Sequence, residues 1–337
     1  MAEMVTSEGK ARRYIRRAFS IPLALSIAPL MLIMSPIVFP VLALIDLITA
    51  PRRFPLTRLG AMALAFAAHE WMALAFYLRV LTRGAEDRFE FMREAMGTWT
   101  ASLLHWVGIT LGAEVDWGDL DTMPSGHPLI IARHASNVDA IIPAILFAKY
   151  LKRPAHHVLK HDLRWALSMD LFAPPLGNYF VVRGKDTQAE LRQLERLAEL
   201  VRPEGSLVIF PEGTFATDAK RKKIRASLER KGELEAVALT DELQALLPPK
   251  PAGVLTLLAA RPDVVPMVLA HRGLDNVASF KGLWTSVPLQ QPIVVRWWPT
   301  AAPPSDPDEQ VRWLQNEWRR ADLWVRSSDQ MALEPNH

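Results

Sequence analysis

Two residues five apart, His134 and Asp139, have the types and spacing to do chemistry together. A neutral imidazole can take a proton from a hydroxyl near neutral pH, and a carboxylate behind it fixes its tautomer and stabilises the imidazolium that forms. On a regular helix five residues turn about 500°, which leaves the side chains ~140° apart, so the pair meets only where the chain bends. The stretch Pro128 to Ile142, PLIIARHASNVDAII, supplies a bend: an apolar strand-like run, then Ser136 and Asn137, both good N-cap residues, then a helix-like run. His134 is expected in the turn and Asp139 in the first helical turn.

A second H-x4-D occurs at His157 and Asp162, but its histidine lies inside HHVLK, a probable strand, with no turn chemistry before the aspartate. Downstream, Ser206 to Phe210 (SLVIF) reads as a buried strand that stops at Pro211 and is followed by Glu212, Gly213 and Thr214. A glycine-containing turn of this kind lets backbone N–H groups approach an anion. His134-x4-Asp139 together with FPEGT at Phe210 to Thr214 resembles the glycerolipid acyltransferase family, the lysophosphatidic acid and lysophospholipid acyltransferases. The stretch VLKHDLRWALSMDLFAPPLGNYFVVRGK resembles the family segment with a lysine at a strand end and a later glycine and arginine, here Lys160, Gly177 and Arg183. Val265 and Pro266 match the last, proline-bearing block. The resemblance covers about Glu114 to His271. The tail, PIVVRWWP and a Trp-rich helix, is similar to the lysocardiolipin and lysophosphatidylinositol branch, and Arg133 departs from the asparagine of many relatives.

The resemblance implies a membrane-associated O-acyltransferase that moves a fatty acyl group from acyl-CoA or acyl carrier protein to the free hydroxyl of a lysophospholipid, with 1-acyl-glycerol-3-phosphate the leading acceptor. His134 would be the base and Asp139 its orienter. Thiolate leaves readily, so neither a covalent intermediate nor a metal or other cofactor is expected, and N–H groups at the start of the helix after Asn137 are candidate oxyanion donors. Acceptor binding falls to Ser136, Asn137, Lys160, Arg183, Glu212, Gly213 and Thr214, with Glu212 assigned to glycerol hydroxyls or to holding Arg183. Lysine and arginine at strand ends suit phosphate. The alternatives are another lysolipid such as lysophosphatidylinositol or lysocardiolipin, a non-enzymatic lipid-binding membrane scaffold, and a thioester hydrolase.

The 337 residues suffice for a substantial core, and the absence of cysteine excludes a disulfide scaffold and any cysteine-based zinc site. His156, His157 and His161 do not make a metal site, since neighbours on a strand face opposite ways. Net charge is only +3, but the positive residues cluster: Lys220, Arg221, Lys222, Lys223, Arg225, Arg230 and Lys231 follow the FPEGT turn, as a solvated face or a contact for anionic lipid or coenzyme A phosphates. No motif supports nucleic-acid binding.

At the N-terminus, Lys10, Arg12, Arg13, Arg16 and Arg17 precede Ile21 to Leu47, which holds a single charge, Asp46. The run exceeds the roughly 7–15 residues of a secretory apolar region, so it is expected to be retained. Pro22, Pro29, Pro36 and Pro40 predict a bent or re-entrant hairpin as readily as a span. Arg52, Arg53 and Arg58 follow, then Leu59 to Leu81 with His69 and Glu70 in its middle. Arginines on both sides of the first segment conflict with a crossing, because Lys and Arg favour the cytoplasmic side. A two-helix anchor in one leaflet, with the catalytic domain on the cytoplasmic face, removes the conflict; hydrophobic helices packed on a soluble domain are the plainer reading.

Residues 1–83 are therefore the basic N-terminus and hydrophobic membrane-anchoring helices, and residues 84–330 an acyltransferase domain. Charged and amphipathic helices are expected at 83–96 and 99–111 and a strand at 114–117. Strands at 128–133, 156–160, 179–182, 206–210, 264–270 and 291–297 then alternate with helices near 138–150, 161–170, 186–202, 234–246, 252–261 and 307–325. The alternation predicts an α/β fold with a mixed, largely parallel sheet flanked by helices.

Overall fold

The computed structural model describes residues 9–84, 87–124, 126–136, 139–181, 187–201, 205–277 and 279–327. Asn137 and Arg183 lie outside the described residues, and their expected roles with them.

Seven strands form one sheet: β1 (Val115–Asp116), β2 (Pro128–Ala132), β3 (Ala155–Lys160), β4 (Tyr179–Val181), β5 (Ser206–Ile209), β6 (Val265–Arg272) and β7 (Ile293–Pro299). Their order is β1-β7-β6-β2-β5-β3-β4, and every pair is parallel except β6 with β7. The two strands with unbroken burial, PLIIA and SLVI, are neighbours at the centre. Continuous apolar runs are what a strand covered on both faces requires. One face is covered by α6 (Thr187–Leu200), α9 (Pro251–Ala260) and α11 (Pro307–Arg326), which buries Trp313, Trp318 and Trp324. A second core lies on the other face, around Ile130, Ile145, Met267 and Trp297. The expected mixed, largely parallel α/β architecture is the observed one.

Several helices differ from expectation for local reasons. The segments expected at 83–96 and 99–111 are one helix, α3 (Asp87–Leu111). Gly97 does not break it; a Cβ there would come within 2.8 Å of the Ala148 carbonyl, so glycine permits a close approach to the chain at 148. The helix expected over 138–150 is shorter and irregular: α4 (Ile141–Ile145) continues as a π-helical turn, Leu146–Leu151. The helix expected at 161–170 divides into a 3₁₀ turn, His161–Trp165, and α5 (Leu167–Phe172). The basic run forms α7 (Asp218–Lys231), capped by the Thr217 hydroxyl. Next, α8 (Leu234–Glu242) stops before the expected 246, because the N–H groups of Gln244, Ala245 and Leu246 donate to Asp322 of α11 rather than to their own helix.

The N-terminal region is an antiparallel pair, α1 (Lys10–Thr49) and α2 (Pro55–Leu81), both long and apolar enough to cross a membrane. Instead of a hairpin within Ile21 to Leu47, α1 runs continuously through its four prolines. Pro36 cannot supply an N–H to the Leu32 carbonyl, and the Ser35 hydroxyl donates to it at 2.7 Å. Both ends of α1 are tied to the sheet domain. Arg16 and Arg17 each reach Asp170 of α5 at 2.6 Å, and after the turn Arg53 donates to the carbonyl of Thr285 in α10 (Phe280–Ser286). Glu70 faces inward, accepting from the Ser168 N–H at 2.9 Å and hydroxyl at 2.6 Å, while Ala73 and Val80 join Met92, Trp99 and Phe172 in a third core.

The two helices are joined by Asp46, fully buried, which accepts from Leu56 N–H, Thr57 N–H and the Thr57 hydroxyl at 3.1, 2.7 and 2.8 Å. An alanine at 46 leaves these donors without an acceptor, at about 1–3 kcal/mol for a buried unsatisfied group. Asp46→Ala is expected to lower the thermal midpoint of the detergent-solubilised protein by several degrees, with Asp46→Asn intermediate; an unchanged midpoint in both would remove Asp46 as the hairpin lock.

Candidate active site

The central strands β6, β2 and β5 are parallel and in register, so their C-terminal ends open on one side of the sheet, where ligands collect in open α/β folds. His134, Glu212 and His271 all arise there, just beyond β2, just beyond β5 and within the last turn of β6.

His134 is half-buried, and its Nδ1 lies 2.8 Å from Asp139 Oδ1. The H-x4-D pair therefore meets, but not as expected: Asp139 stands in a turn before α4 rather than in its first turn. Its Oδ2 accepts the N–H of Ala135, the N–H of Ser136 at 2.8 Å, and His271 Nε2 at 3.2 Å. The N–H groups of Ala135 and Ser136 are thus committed to Asp139. Burial by itself would raise the Asp139 carboxyl, but the bonds from His134 and then His271 outweigh it and hold it well below the usual carboxylate range. The His134 ring packs against Phe210 at 5.1 Å and edge-on to Phe215 at 5.8 Å between centroids. With Nδ1 engaged, Nε2 is the nitrogen through which this imidazole can serve as a base.

Glu212 is buried, with Oε1 accepting the His134 N–H at 2.9 Å and Oε2 the Leu247 N–H at 2.9 Å. Burial pushes its carboxyl up to about 8, opposed by those two bonds and by the Arg133 guanidinium. Both oxygens accept from backbone, which makes Glu212 a strut between His134 and residue 247. The strut is braced in turn: Asp322 takes the N–H groups of 244–246, Trp318 Nε1 donates to the Leu247 carbonyl at 2.9 Å, and Arg221 donates to the carbonyls of Gln244 and Leu246, each at 2.9 Å. Lys250 N–H reaches the Pro211 carbonyl at 2.9 Å, so the proline-rich stretch 248–251, linker-like in sequence, lines the FPEGT turn.

The other expected residues are less uniformly placed. Ser136 is fully buried, and its N–H belongs to Asp139. Gly213 has φ +66° and turns the chain; a Cβ there would lie 3.3 Å from the Lys250 ammonium, and Thr214 follows half-buried. Lys160 ends β3, is half-exposed and pairs with Asp162, the aspartate of the second H-x4-D. His157 of that second motif is a core residue: its N–H and Nδ1 both engage Asn178 Oδ1, at 2.6 and 2.9 Å, and burial lowers its pKa to about 4. Arg133 is buried and committed to the His271 carbonyl and Asp275.

The residues not found from sequence are His271, the 244–250 segment and Phe215, with the ammonium of Lys220 from the basic run 3.1 Å from the Phe215 ring centroid. His271 had one available signal: it ends an apolar strand as His134 does.

Beside the Asp139 turn, starting at Ala140 and Ile141, a cavity of about 350 Å³ runs between the sheet and α2, α3 and α5. Its walls are almost wholly apolar, with Phe66, Leu103, Trp117 and Phe172 among them.

The acyltransferase family model matches residues 114–270, which include His134, Asp139 and Glu212. No curated protein sequence matches the chain. The fold is similar to that of a crystal structure of 1-acyl-sn-glycerophosphate (LPA) acyltransferase, PlsC, from Thermotoga maritima. The TM-score is 0.50 at 17% identity, covering 81% of this chain and 100% of that one. Residues 114–270 are thus those of an acyltransferase domain, and the chain is an acyltransferase.

Proposed function

We propose that the chain esterifies a lysophospholipid, 1-acyl-glycerol-3-phosphate being the leading acceptor, with a fatty acyl group from the thioester of coenzyme A or acyl carrier protein. The observation that carries this reading is the His134–Asp139 pair at the C-terminal edge of the central strands. His134 Nε2 takes the proton of the acceptor hydroxyl as its oxygen attacks the thioester carbonyl carbon. The tetrahedral intermediate collapses with cleavage of the C–S bond, and the departing sulfur takes the proton from the imidazolium. Asp139 holds Nδ1–H throughout.

The apolar cavity beginning next to Asp139 supports a fatty acyl chain as the transferred group, since a saturated chain offers nothing but apolar surface for binding. For the acceptor's phosphate the proposal assigns Lys160 and Arg183. In the β3–β4 register Lys160 pairs with Val181, at the same sheet edge as the base. Lysine and arginine can meet phosphate.

The same proposal places the chain on the cytoplasmic face of a membrane as a one-leaflet anchor. Forty residues of helix are about 60 Å long, twice a bilayer core. Fastened to the domain near Arg16 and again at Arg53, α1 lies along the protein, and its outward surface from Phe19 to Ile48 is apolar and exposed.

His134→Ala is expected to lower acyl transfer by roughly 10²–10⁴-fold, the range of general-base catalysis. His157→Ala should act on stability, with residual folded enzyme retaining turnover; equal loss of turnover in the two folded variants would reverse the choice of base. Glu212→Gln places an amide N–H against a backbone N–H, and kcat should fall about tenfold or more with the acceptor KM unchanged. A raised KM with kcat intact would return Glu212 to substrate binding. For topology, Arg52→Cys gives the chain a single thiol on the exposed turn. It should resist a membrane-impermeant reagent in intact cells and react after lysis; labelling in intact cells means that α1 crosses.

A further inference from the structure

The β2–β6 register pairs Ala132 with Leu269, and the same offset places His271 beside His134. The pairing persists past the end of β2, because Arg133 N–H donates to the Leu269 carbonyl at 2.9 Å and the Arg133 guanidinium to the His271 carbonyl. Between the two rings stands Asp139. His134 holds Oδ1 and His271 holds Oδ2, at 2.8 and 3.2 Å. A carboxylate is acceptor-only, so His271 Nε2 carries the proton in this contact. His271 is 1% exposed, and its Nδ1 has no hydrogen-bond partner among the described residues, so the one polar engagement of its side chain there is with Asp139.

From this geometry we infer that His271 is a positioning residue for acyl transfer: its Nε2–H joins the Ala135 and Ser136 N–H groups in fixing the roll of the Asp139 carboxylate and draws on its charge, which sets how strongly Asp139 holds the imidazolium of His134. The inference rests on the reading of His134 as base. Donors on opposite oxygens leave the carboxylate one orientation, with Oδ1 in line with His134 Nδ1. Each donor also shares the negative charge, so a carboxylate relieved of His271 attracts a proton on His134 more strongly. The other charged groups at hand are Arg133, paired with Asp275, and Glu212 beneath the His134 N–H. None of these touches Asp139 directly in the contacts described above, so the His271 bond is the one by which a substitution can change its charge without disturbing His134.

The sign follows. Without the His271 donor, the His134 imidazolium is stabilised, its pKa rises, and the fraction of base available at a given pH falls. His271→Leu should therefore lower kcat about tenfold and move the acid limb of the kcat/KM profile to higher pH by roughly half to one unit, with KM values unchanged. The amide nitrogen of glutamine can occupy the place of Nε2, so His271→Gln should restore most of both. Selective ¹⁵N-histidine NMR on the full detergent-solubilised chain reads the linkage without turnover: the wild type should show His271 as the Nε2–H tautomer, and His134 should titrate higher in His271→Leu. An Nδ1–H tautomer in the wild type overturns the inference, as does a glutamine variant no better than leucine, or an unmoved His134 titration. If His271→Leu fails to fold, the wild-type tautomer and the glutamine profile still decide. An active His134→Ala enzyme overturns the base assignment instead, and the His134 titration then stands as a separate measurement.

Discussion

A carboxylate buried to 1% exposure is tolerable only when its lone pairs are filled, and Asp139 is the charge around which this molecule must arrange itself. Two backbone N–H groups and two imidazoles converge on it. That demand decides the path of the chain at Ala135 and Ser136, which must curl back toward a residue three or four positions ahead. It also decides where the site can be. Because β2 and β6 are parallel and in register, a donor from the end of β6 and donors from the loop after β2 reach one point.

The second buried carboxylate works by a different route. Glu212 joins two backbone segments, and the one at residue 247 is itself held by Asp322 and Trp318 of α11. The backbone N–H of His134 is therefore connected to a C-terminal helix outside residues 114–270 by a chain of bonds: indole to carbonyl, carboxylate to loop, loop to carboxylate, carboxylate to base. Rigidity at a catalytic group comes from such support, because a side chain is no better fixed than the backbone that carries it. The early end of α8 is part of the same arrangement, in which α8 gives up a turn so that the loop's N–H groups can face α11.

What was legible in the sequence depended on whether the signal was local. Strands β2 and β5 announced themselves as unbroken apolar runs, and α11 as a Trp-bearing amphipathic helix, because burial on two faces or one stripe leaves a period in the sequence. The His134–Asp139 contact was legible from spacing, but the start of the helix was not, since the N-cap of α4 is Ala140. The partners of Glu212 were not: two backbone N–H groups have no side-chain signature, and an acidic residue in a glycine turn reads as a ligand contact. His271 was hidden for a related reason, since its role comes from strand pairing, and nothing within a few residues of it marks the partner. Proline was misleading in α1 because its cost is usually reckoned for water-soluble helices; here Ser35 recovers the carbonyl that Pro36 leaves open.

The charged residues of the N-terminal region separate by direction. Asp46 and Glu70 are the acidic groups of α1 and α2 whose bonds point inward, to the hairpin turn and to Ser168. Arg16 and Arg17 also turn inward, to Asp170, and Arg53 reaches Thr285. From Phe19 to Ile48 the outer side of α1 is a line of Leu, Ile, Val and Phe with no charge to keep it in water. A contiguous apolar surface of this length calls for a covering. Because the same helix is fastened to the domain at both ends, a lipid surface that covered it would meet the whole length of the pair along one side. On the proposed reading that geometry serves the reaction: an acceptor whose tail stays in lipid and whose hydroxyl reaches the interface meets the base without leaving the leaflet, and the acyl chain passes from a soluble thioester into an apolar cavity already walled by α2 and α3.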